Sequence, residues 1–200
     1  MSKTIVRRAA LGVFVMFAIV LYAQDAPKPT CNRCSASYIN NDELEAYFKR
    51  VDTKAAVTDQ QVRVADVGKS NVAIGVVYRS KTSGGTSNVA EHNQVSEVYH
   101  IIEGSATLVT GADIVGWKPR PATNENVRLL NGPGGDGTSI RSGVEHHLKA
   151  GDVIIIPAGV GHWFTNIDDH IKYLMVRIDP DKVTPLKDAA ASQADLKKGK

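Results

Sequence analysis

The stretch that decides the fold runs from Gly151 to Asn166 and reads GDVIIIPAGVGHWFTN. Val153–Ile156 is a short apolar run of β-branched residues, which predicts a strand buried on both faces. Pro157 has no N–H to donate and ends that strand. Residues 158–161 carry two glycines and favour a tight turn with a positive φ. The stretch therefore predicts a hairpin built around a rigid turn.

His162 follows directly on this turn and begins the second strand of the hairpin. Alternation along a strand predicts that His162, Phe164 and Asn166 share one face, with Trp163 on the other. The stretch resembles the second sequence motif of the cupin superfamily, G-x5-P-x-G-x2-H-x3-N. All five fixed positions of that motif are filled, by Gly151, Pro157, Gly159, His162 and Asn166.

An upstream stretch resembles the first cupin motif, G-x5-H-x-H-x(3,4)-E-x6-G. His92, Glu97 and Gly104 match its second histidine, its glutamate and its final glycine. Ala90 occupies the position of the first histidine, and Gly84 matches the opening glycine. The motif is thus matched with one metal-ligand position changed.

The resemblance implies one divalent metal ion inside a barrel, held by His92, Glu97 and His162. The chemistry of the side chains agrees, because imidazole nitrogen and carboxylate oxygen suit Zn, Fe, Mn, Co or Ni. Three protein ligands would leave coordination positions for water or a substrate. Taken singly, each histidine has the alternative interpretation of a hydrogen-bonded residue of the barrel interior.

Tyr99 is the candidate catalytic residue. It lies two positions after Glu97 on a predicted strand, so both side chains should face the interior. A tyrosine there could act as a general base or orient a substrate; the alternative is that it fills the barrel with its hydroxyl hydrogen-bonded. Gln94 is a weaker alternative ligand, and structural or exposed positions are predicted for the other histidines, His100, His146, His147 and His170.

The remainder of the chain predicts an all-β fold. Short apolar strands alternate with turns from Gln60 to Ile178, and one short helix is predicted near the N-terminus, capped by Asn40 or Asn41. This pattern and the resemblance indicate a double-stranded β-helix, that is, a jelly-roll or cupin barrel.

Two further segments carry predictions of their own. Val127–Leu130 is interpreted as a strand. Gly132–Gly137 matches G-x-G-x-x-G, but a strand-like segment rather than a helix pattern follows it. We therefore interpret it as a loop at the mouth of the barrel and not as a dinucleotide site.

Four segments are expected along the chain: a signal peptide (1–23), an N-terminal arm and helix (24–59), the barrel (60–186) and a flexible tail (187–200). The first segment has a basic start, followed by 15 residues without charge, which is short for a membrane span. A retained N-terminal anchor is the alternative. Cleavage predicts an exported bacterial protein, periplasmic or secreted, without stable membrane association.

Charge and cysteine content narrow the partners. Without the three basic residues of segment 1–23, the chain has 21 basic and 21 acidic residues, which gives no reason to expect a nucleic-acid partner. Cys31 and Cys34 form a C-x-x-C. Either a local disulfide or two unpaired thiols fits better than zinc, haem or redox catalysis, because the residues that those sites require are missing around the pair.

Three functions fit these features. The first is a metal-dependent enzyme, an oxygenase, lyase or isomerase, acting on a small oxygen-rich organic substrate bound at the metal. The second is a non-catalytic exported protein that binds a sugar or an organic acid. The third is a cupin that has lost its metal. Exposed sheet edges and an apolar sheet face also predict a homodimer.

Overall fold

Antiparallel strands make up most of the regular structure in this computed structural model, which describes residues 28–31, 34–82 and 88–198. The predicted signal peptide and Gly84 lie outside those residues. The strands are β1 Val57–Asp66, β2 Asn71–Thr82, β3 Val89–His92, β4 Ser96–Gly111, β5 Ile114–Val115, β6 Lys118–Pro119, β7 Gly134–Gly137, β8 Ser139–Ile140, β9 Val144–Lys149, β10 Val153–Ile156 and β11 Gly161–Asp179. Two α-helices, α1 Asn41–Phe48 and α2 Ala189–Lys197, flank them.

Nine of the described strands form one antiparallel sheet, and β5 and β8 form a small second one. The 19-residue β11 is central, since it pairs with β4 along most of its length, with β2 from Ile167 onward and with β3 at His162. The long strands curl around one apolar interior, which is the predicted all-β jelly roll. Its core consists of Val77, Tyr99, Ile101, Ala106, Leu108, Leu148, Ile156, Phe164, Ile167, Ile171, Tyr173 and Met175.

The turn before His162 forms as predicted, but the two strands that it joins, β10 and β11, do not pair with each other as a hairpin. β10 ends before Pro157, Gly159 has a φ of +81°, and β11 begins at Gly161. Asn166 does not share the interior face of His162 and Phe164, and is exposed. A β-bulge between Phe164 and Asn166 adds one residue to β11 and reverses the alternation beyond it.

β10 is buried on one face only, which corrects the prediction that both of its faces are buried. The side chains of Val153 and Ile155 are 60% and 68% exposed, whereas Ile156 faces the core. β10 pairs only with β4, and the helices pack elsewhere on the sheet. An apolar run therefore indicated a strand here but not how many of its faces are covered.

Two segments before β9 have a secondary structure that differs from the predicted one. Val127–Asn131 is π-helical rather than a strand, because the Asn124 side chain accepts backbone N–H groups of Asn126 and Val127 and starts a helical turn. The glycines of the predicted loop form β7, which pairs with β3 and β6. A Cβ at Gly134 would collide with the Glu91 carbonyl, so close strand packing requires glycine there. As expected, the short strand β8 and not a helix follows.

The helices cover the outer face of β1 and β2. Asn40 caps α1 by accepting the Glu43 N–H at 2.8 Å, as predicted. Tyr47 of α1 is fully buried against Val62 and Val76. Between Ile167 and His170, β11 has an irregularity in its pairing with β2 but continues as one strand. No helix among the described residues is long and apolar enough to span a membrane.

The C-terminal segment, expected to be a flexible tail, is helical. Its α2 is held to the body of the protein by the Tyr47 hydroxyl, which donates to the Ser192 carbonyl at 3.2 Å and to the Asp195 carboxylate at 3.0 Å. Lys187 donates to the same carboxylate at 2.7 Å. The polar Ala-, Lys- and Asp-rich sequence did not indicate this docking, because the bond from Tyr47 to Ser192 spans 145 positions of the chain.

Candidate metal centre

Three strands bring the predicted ligands together inside the barrel. His92 ends β3, Glu97 is the second residue of β4 and His162 is the second residue of β11, and all three side chains are buried. The Nε2 atoms of His92 and His162 lie 3.5 and 3.6 Å from the two Glu97 oxygens. One ligand atom from each residue lies within 4.8 Å of the others. Tetrahedral ligands of one zinc ion lie about 3.4 Å apart, so this spacing fits a shared ion.

The protonation of the cluster also suits a cation. Burial lowers the pKa of His92 to about 3 and also lowers the pKa of His162, against the opposing charge of Glu97. Both imidazoles are therefore neutral near pH 7 and keep a lone pair. Burial alone would raise the pKa of Glu97, but interactions with His92, Arg177 and His162 outweigh it and lower that pKa to about 2. Arg177 is charged throughout, whereas the two imidazoles contribute charge only when acid protonates them.

The tautomer of His162 follows from its second nitrogen. Its Nδ1 lies 3.2 Å from the Val160 carbonyl, which can only accept a hydrogen bond. Nδ1 therefore carries the proton, and Nε2 presents its lone pair toward Glu97. This is the arrangement that metal-ligating histidines adopt when a backbone carbonyl orients them.

Two side chains hold the Glu97 carboxylate in place. The Tyr99 hydroxyl donates to Oε2 at 2.7 Å, and Arg177 Nε donates to Oε1 at 3.3 Å. Burial and then the charge of Glu97 raise the pKa of Tyr99 well above its usual value, so its phenol is neutral and donates. Tyr99 thus faces the interior with Glu97, as predicted, and orients a candidate ligand.

Arg177 was missed in the sequence, although a signal for it is present. It alternates with Tyr173 and Met175 along an otherwise apolar inward face of β11, and only 1% of it is exposed. It also donates to the Gln61 side chain at 2.7 Å and to the Asp59 carboxylate. A lone charge at an interior strand position predicts buried carboxylate partners, and here one of them belongs to the candidate centre.

A cavity of about 580 Å³ opens onto the three candidate ligands. Phe164 lines it, as predicted, together with Ala90, Arg79 and Arg120. Ala90 pairs with His162 in the β3–β11 ladder and contributes only a methyl group where the motif has its first histidine. The cavity therefore combines a cluster of ligand atoms with space for a small molecule.

The other candidates lie away from the cluster. Gln94 donates to Asp181, and His146 contacts Thr110 at 2.9 Å. His100 and His147 are exposed, and His170 stacks on Tyr78 beside Asp169 and Glu103. In the N-terminal arm, Cys31 and Cys34 form a disulfide with a Cα–Cα distance of 5.7 Å, which favours the first of the two alternatives considered for that pair.

Residues 50–195 match the family model described as Cupin. No curated protein matches the chain significantly. Similar solved structures include Peruvianin-I, a cysteine peptidase from Thevetia peruviana latex (15% identity, TM-score 0.42, 74% of this chain and 81% of that one). Oxalate oxidase in complex with glycolate is another (19% identity, TM-score 0.39, 66% of this chain and 56% of that one). The DMSP lyase DddQ from Ruegeria pomeroyi DSS-3 is a third (17% identity, TM-score 0.39, 74% of this chain and 54% of that one). Similarity at this level does not assign an activity.

Proposed function

Since the chain belongs to the cupin family, we propose that it binds one divalent metal ion through His92, Glu97 and His162 and receives a small oxygen-rich organic molecule in the adjoining cavity. The observation that carries the proposal is the convergence of three buried ligand atoms within 4.8 Å beside that cavity. The two-nitrogen, one-oxygen donor set fits Zn, Fe, Mn, Co or Ni.

The chain's own residues prepare the site. Neutral imidazoles and an ionised carboxylate can bind a cation without first losing protons near pH 7. Arg177 and Tyr99 fix the carboxylate, and the aromatic ring of Phe164 forms an apolar part of the cavity wall. A bound ion would supply Lewis acidity to an oxygen of the small molecule.

An enzyme of oxygenase, lyase or isomerase type is the first form of this function, with Tyr99 as the candidate catalytic residue. It predicts that Tyr99→Phe lowers turnover while metal stays bound. The alternative is a non-catalytic binding protein for a sugar or an organic acid, which the absence of a ligand at Ala90 favours. A compound that binds tightly and is recovered unchanged would support this alternative.

Metal analysis tests the proposal directly. Purified wild-type protein should contain about one divalent ion per chain by elemental analysis, and His162→Ala should lose it because one of three ligands is gone. The matched control is His147→Ala, since this histidine is exposed and pairs only with Glu145 and Thr107 among the described residues. Equal metal content in wild type and His162→Ala would refute the assignment.

We further propose that the protein is exported after cleavage of residues 1–23. The Cys31–Cys34 disulfide supports this location, since disulfides persist outside the cytoplasm. Mass spectrometry of the protein recovered from a native host should give an N-terminus near residue 24. A mature chain that begins at Met1 would contradict export by cleavage.

We also propose that the protein forms a homodimer. The exposed side chains of Ile102, Val153 and Ile155 form an uncovered apolar face beside the edge strand β10. A second copy that meets this face about a two-fold axis would bury the same residues from both chains. Light scattering after gel filtration measures the assembly.

A further inference from the structure

Arg79 is a charged side chain on the inward face of a barrel strand. It alternates with Val77, which belongs to the core, along β2. It lines the same cavity as His92, Glu97 and His162. A guanidinium in such a place loses part of its hydration, and this loss must be offset by a partner or by a ligand.

Arg79 differs from the two other arginines around the cavity in having no carboxylate partner. Arg120 makes two hydrogen bonds to Asp136, at 2.7 and 3.0 Å, and Arg177 bonds to Glu97 and Asp59. Within the described residues, the only hydrogen bond of Arg79 runs from Nε to the Tyr173 hydroxyl, at 3.0 Å. Asp59 acts on Arg79 electrostatically but forms no hydrogen bond with it, and the Oδ2 atom of Asp59 accepts from Arg177.

The surroundings of Arg79 hold its guanidinium in one orientation. The Tyr173 hydroxyl fixes the Nε edge, and the Cζ atom lies 4.8 Å from the centre of the Phe164 ring. The terminal Nη atoms form no hydrogen bond within the described residues. They are not fully buried, and Arg79 lines the cavity, so they remain accessible from it. Two parallel N–H groups on a fixed plane match a carboxylate.

The charge balance of the site points the same way. Asp59, Glu97 and Asp136 line the cavity with three negative charges, and Arg79 and Arg120 line it with two positive charges. Arg177 does not line the cavity but adds a third positive charge through its ion pairs with Glu97 and Asp59. The residues around the cavity are therefore balanced before an ion binds. A divalent ion adds two positive charges, which an anionic ligand would compensate.

We propose that the cavity selects a carboxylate-bearing ligand, with the carboxylate bound by the free edge of Arg79 and a second oxygen group directed toward the candidate metal centre. This inference rests on the proposed function and adds a substrate class to it. Neutral sugars lack the group that Arg79 recognises. Organic acids become the preferred class among the small oxygen-rich molecules.

Matched ligand pairs provide the test. 3-Hydroxypropanoate, 4-hydroxybutanoate and 5-hydroxypentanoate, each with its primary amide, would be titrated by calorimetry into the metal-loaded protein. The amide keeps the hydroxyl group and nearly the same shape, and it loses only the carboxylate charge. Wild type should bind at least one hydroxy acid tenfold or more tightly than its amide, as expected when a charged hydrogen-bonded pair is exchanged for a neutral one. No such preference for any pair would overturn the inference.

Variants assign the preference to Arg79. Arg79→Met should abolish it while leaving metal content at the wild-type level, and Arg141→Met, at an exposed arginine paired with Asp113, should retain it. If Arg79→Met does not fold, Tyr173→Phe removes the Nε anchor, keeps the charge and should reduce the preference. A preference retained in Arg79→Met, or in Tyr173→Phe where that variant replaces it, would overturn the inference.

Metal content separates the two levels of the proposal. A wild-type protein that binds no divalent ion refutes the proposed function, and the inference falls with it. A wild-type protein that binds metal but does not distinguish the hydroxy acids from their amides refutes only the inference.

Discussion

Replacement of Arg177 by methionine is the most informative perturbation of the interior. Arg177 is 1% exposed and joins three side chains, with donor–acceptor distances of 3.3 Å to Glu97 and 2.7 Å to Gln61 and a further bond to Asp59. Methionine fills similar space but leaves two carboxylates without their cation. Removal of one partner from a buried ion pair costs about 3–5 kcal/mol.

That loss is large against the stability of a whole domain, which is about 5–15 kcal/mol. For a protein of this size it corresponds to a decrease of about 6–20 °C in Tm. Urea denaturation in the presence of a chelator, followed by circular dichroism, measures the difference without a contribution from metal. Arg141→Met is the control, because its ion pair is exposed and should contribute less than about 1 kcal/mol.

The pH dependence of the free energy of unfolding identifies why Arg177→Met loses stability. The pKa of Glu97 is lowered to about 2: burial alone would raise it, but interactions with His92, Arg177 and His162 outweigh burial. The ionised carboxylate therefore stabilises the folded protein above the ordinary glutamate pKa of about 4.3, and this contribution is lost as the pH falls toward 2. The gap between wild type and Arg177→Met should narrow over that range. An Arg177→Met variant within about 1 kcal/mol of wild type at pH 7 would refute the reasoning.

Three further outcomes are expected. Asn40→Ala removes the cap of α1 and should lower the free energy of unfolding by about 1 kcal/mol in urea denaturation, whereas an unchanged midpoint would contradict the cap. Asp195→Asn should lower the free energy of unfolding by about 1 kcal/mol at pH 7. Burial raises the pKa of this carboxyl, but the hydrogen bond from Lys187 keeps that pKa below its ordinary value. The difference in free energy of unfolding between wild type and Asp195→Asn should become smaller in acid, because protonation of Asp195 removes the stabilisation that goes with its lowered pKa. A difference that grows in acid would contradict this role of the carboxylate. Ile155→Lys places a charge on the uncovered face of β10 and should convert a dimer to a monomer in light scattering, while a dimer that persists at the same concentration would place the interface elsewhere.

The metal-binding half of the site was accessible from sequence because its signals are local. The turn before His162 depends on the fixed φ of Pro157 and on the positive φ that Gly159 can adopt, and both properties act wherever these residues occur. Glu97 and Tyr99 face the same side of β4 because they are two positions apart on a strand. These features remain the same whatever packs around them.

The features that sequence did not predict depend on distant parts of the chain. Whether Ile155 is covered depends on where the helices pack, and the position of Asn166 depends on a bulge that pairs it with a residue of β4. The alanine-rich sequence of α2, capped by Asp188, favours a helix, but its docking depends on contacts with Tyr47. The role of Arg79 became visible only when β2, β11 and the cavity were placed together.

The order of the strands has a consequence for biogenesis. β11, which joins β2, β3 and β4, is the last strand in the described chain, and Phe164, Ile167, Ile171 and Tyr173 bring much of the core with it. A chain emerging from the ribosome therefore lacks its central partner until nearly all of it has been made, and most of its pairings join residues far apart in sequence. Until β11 has been made, the edges of β2, β3 and β4 that pair with it have no partner, which would suit the export that we propose.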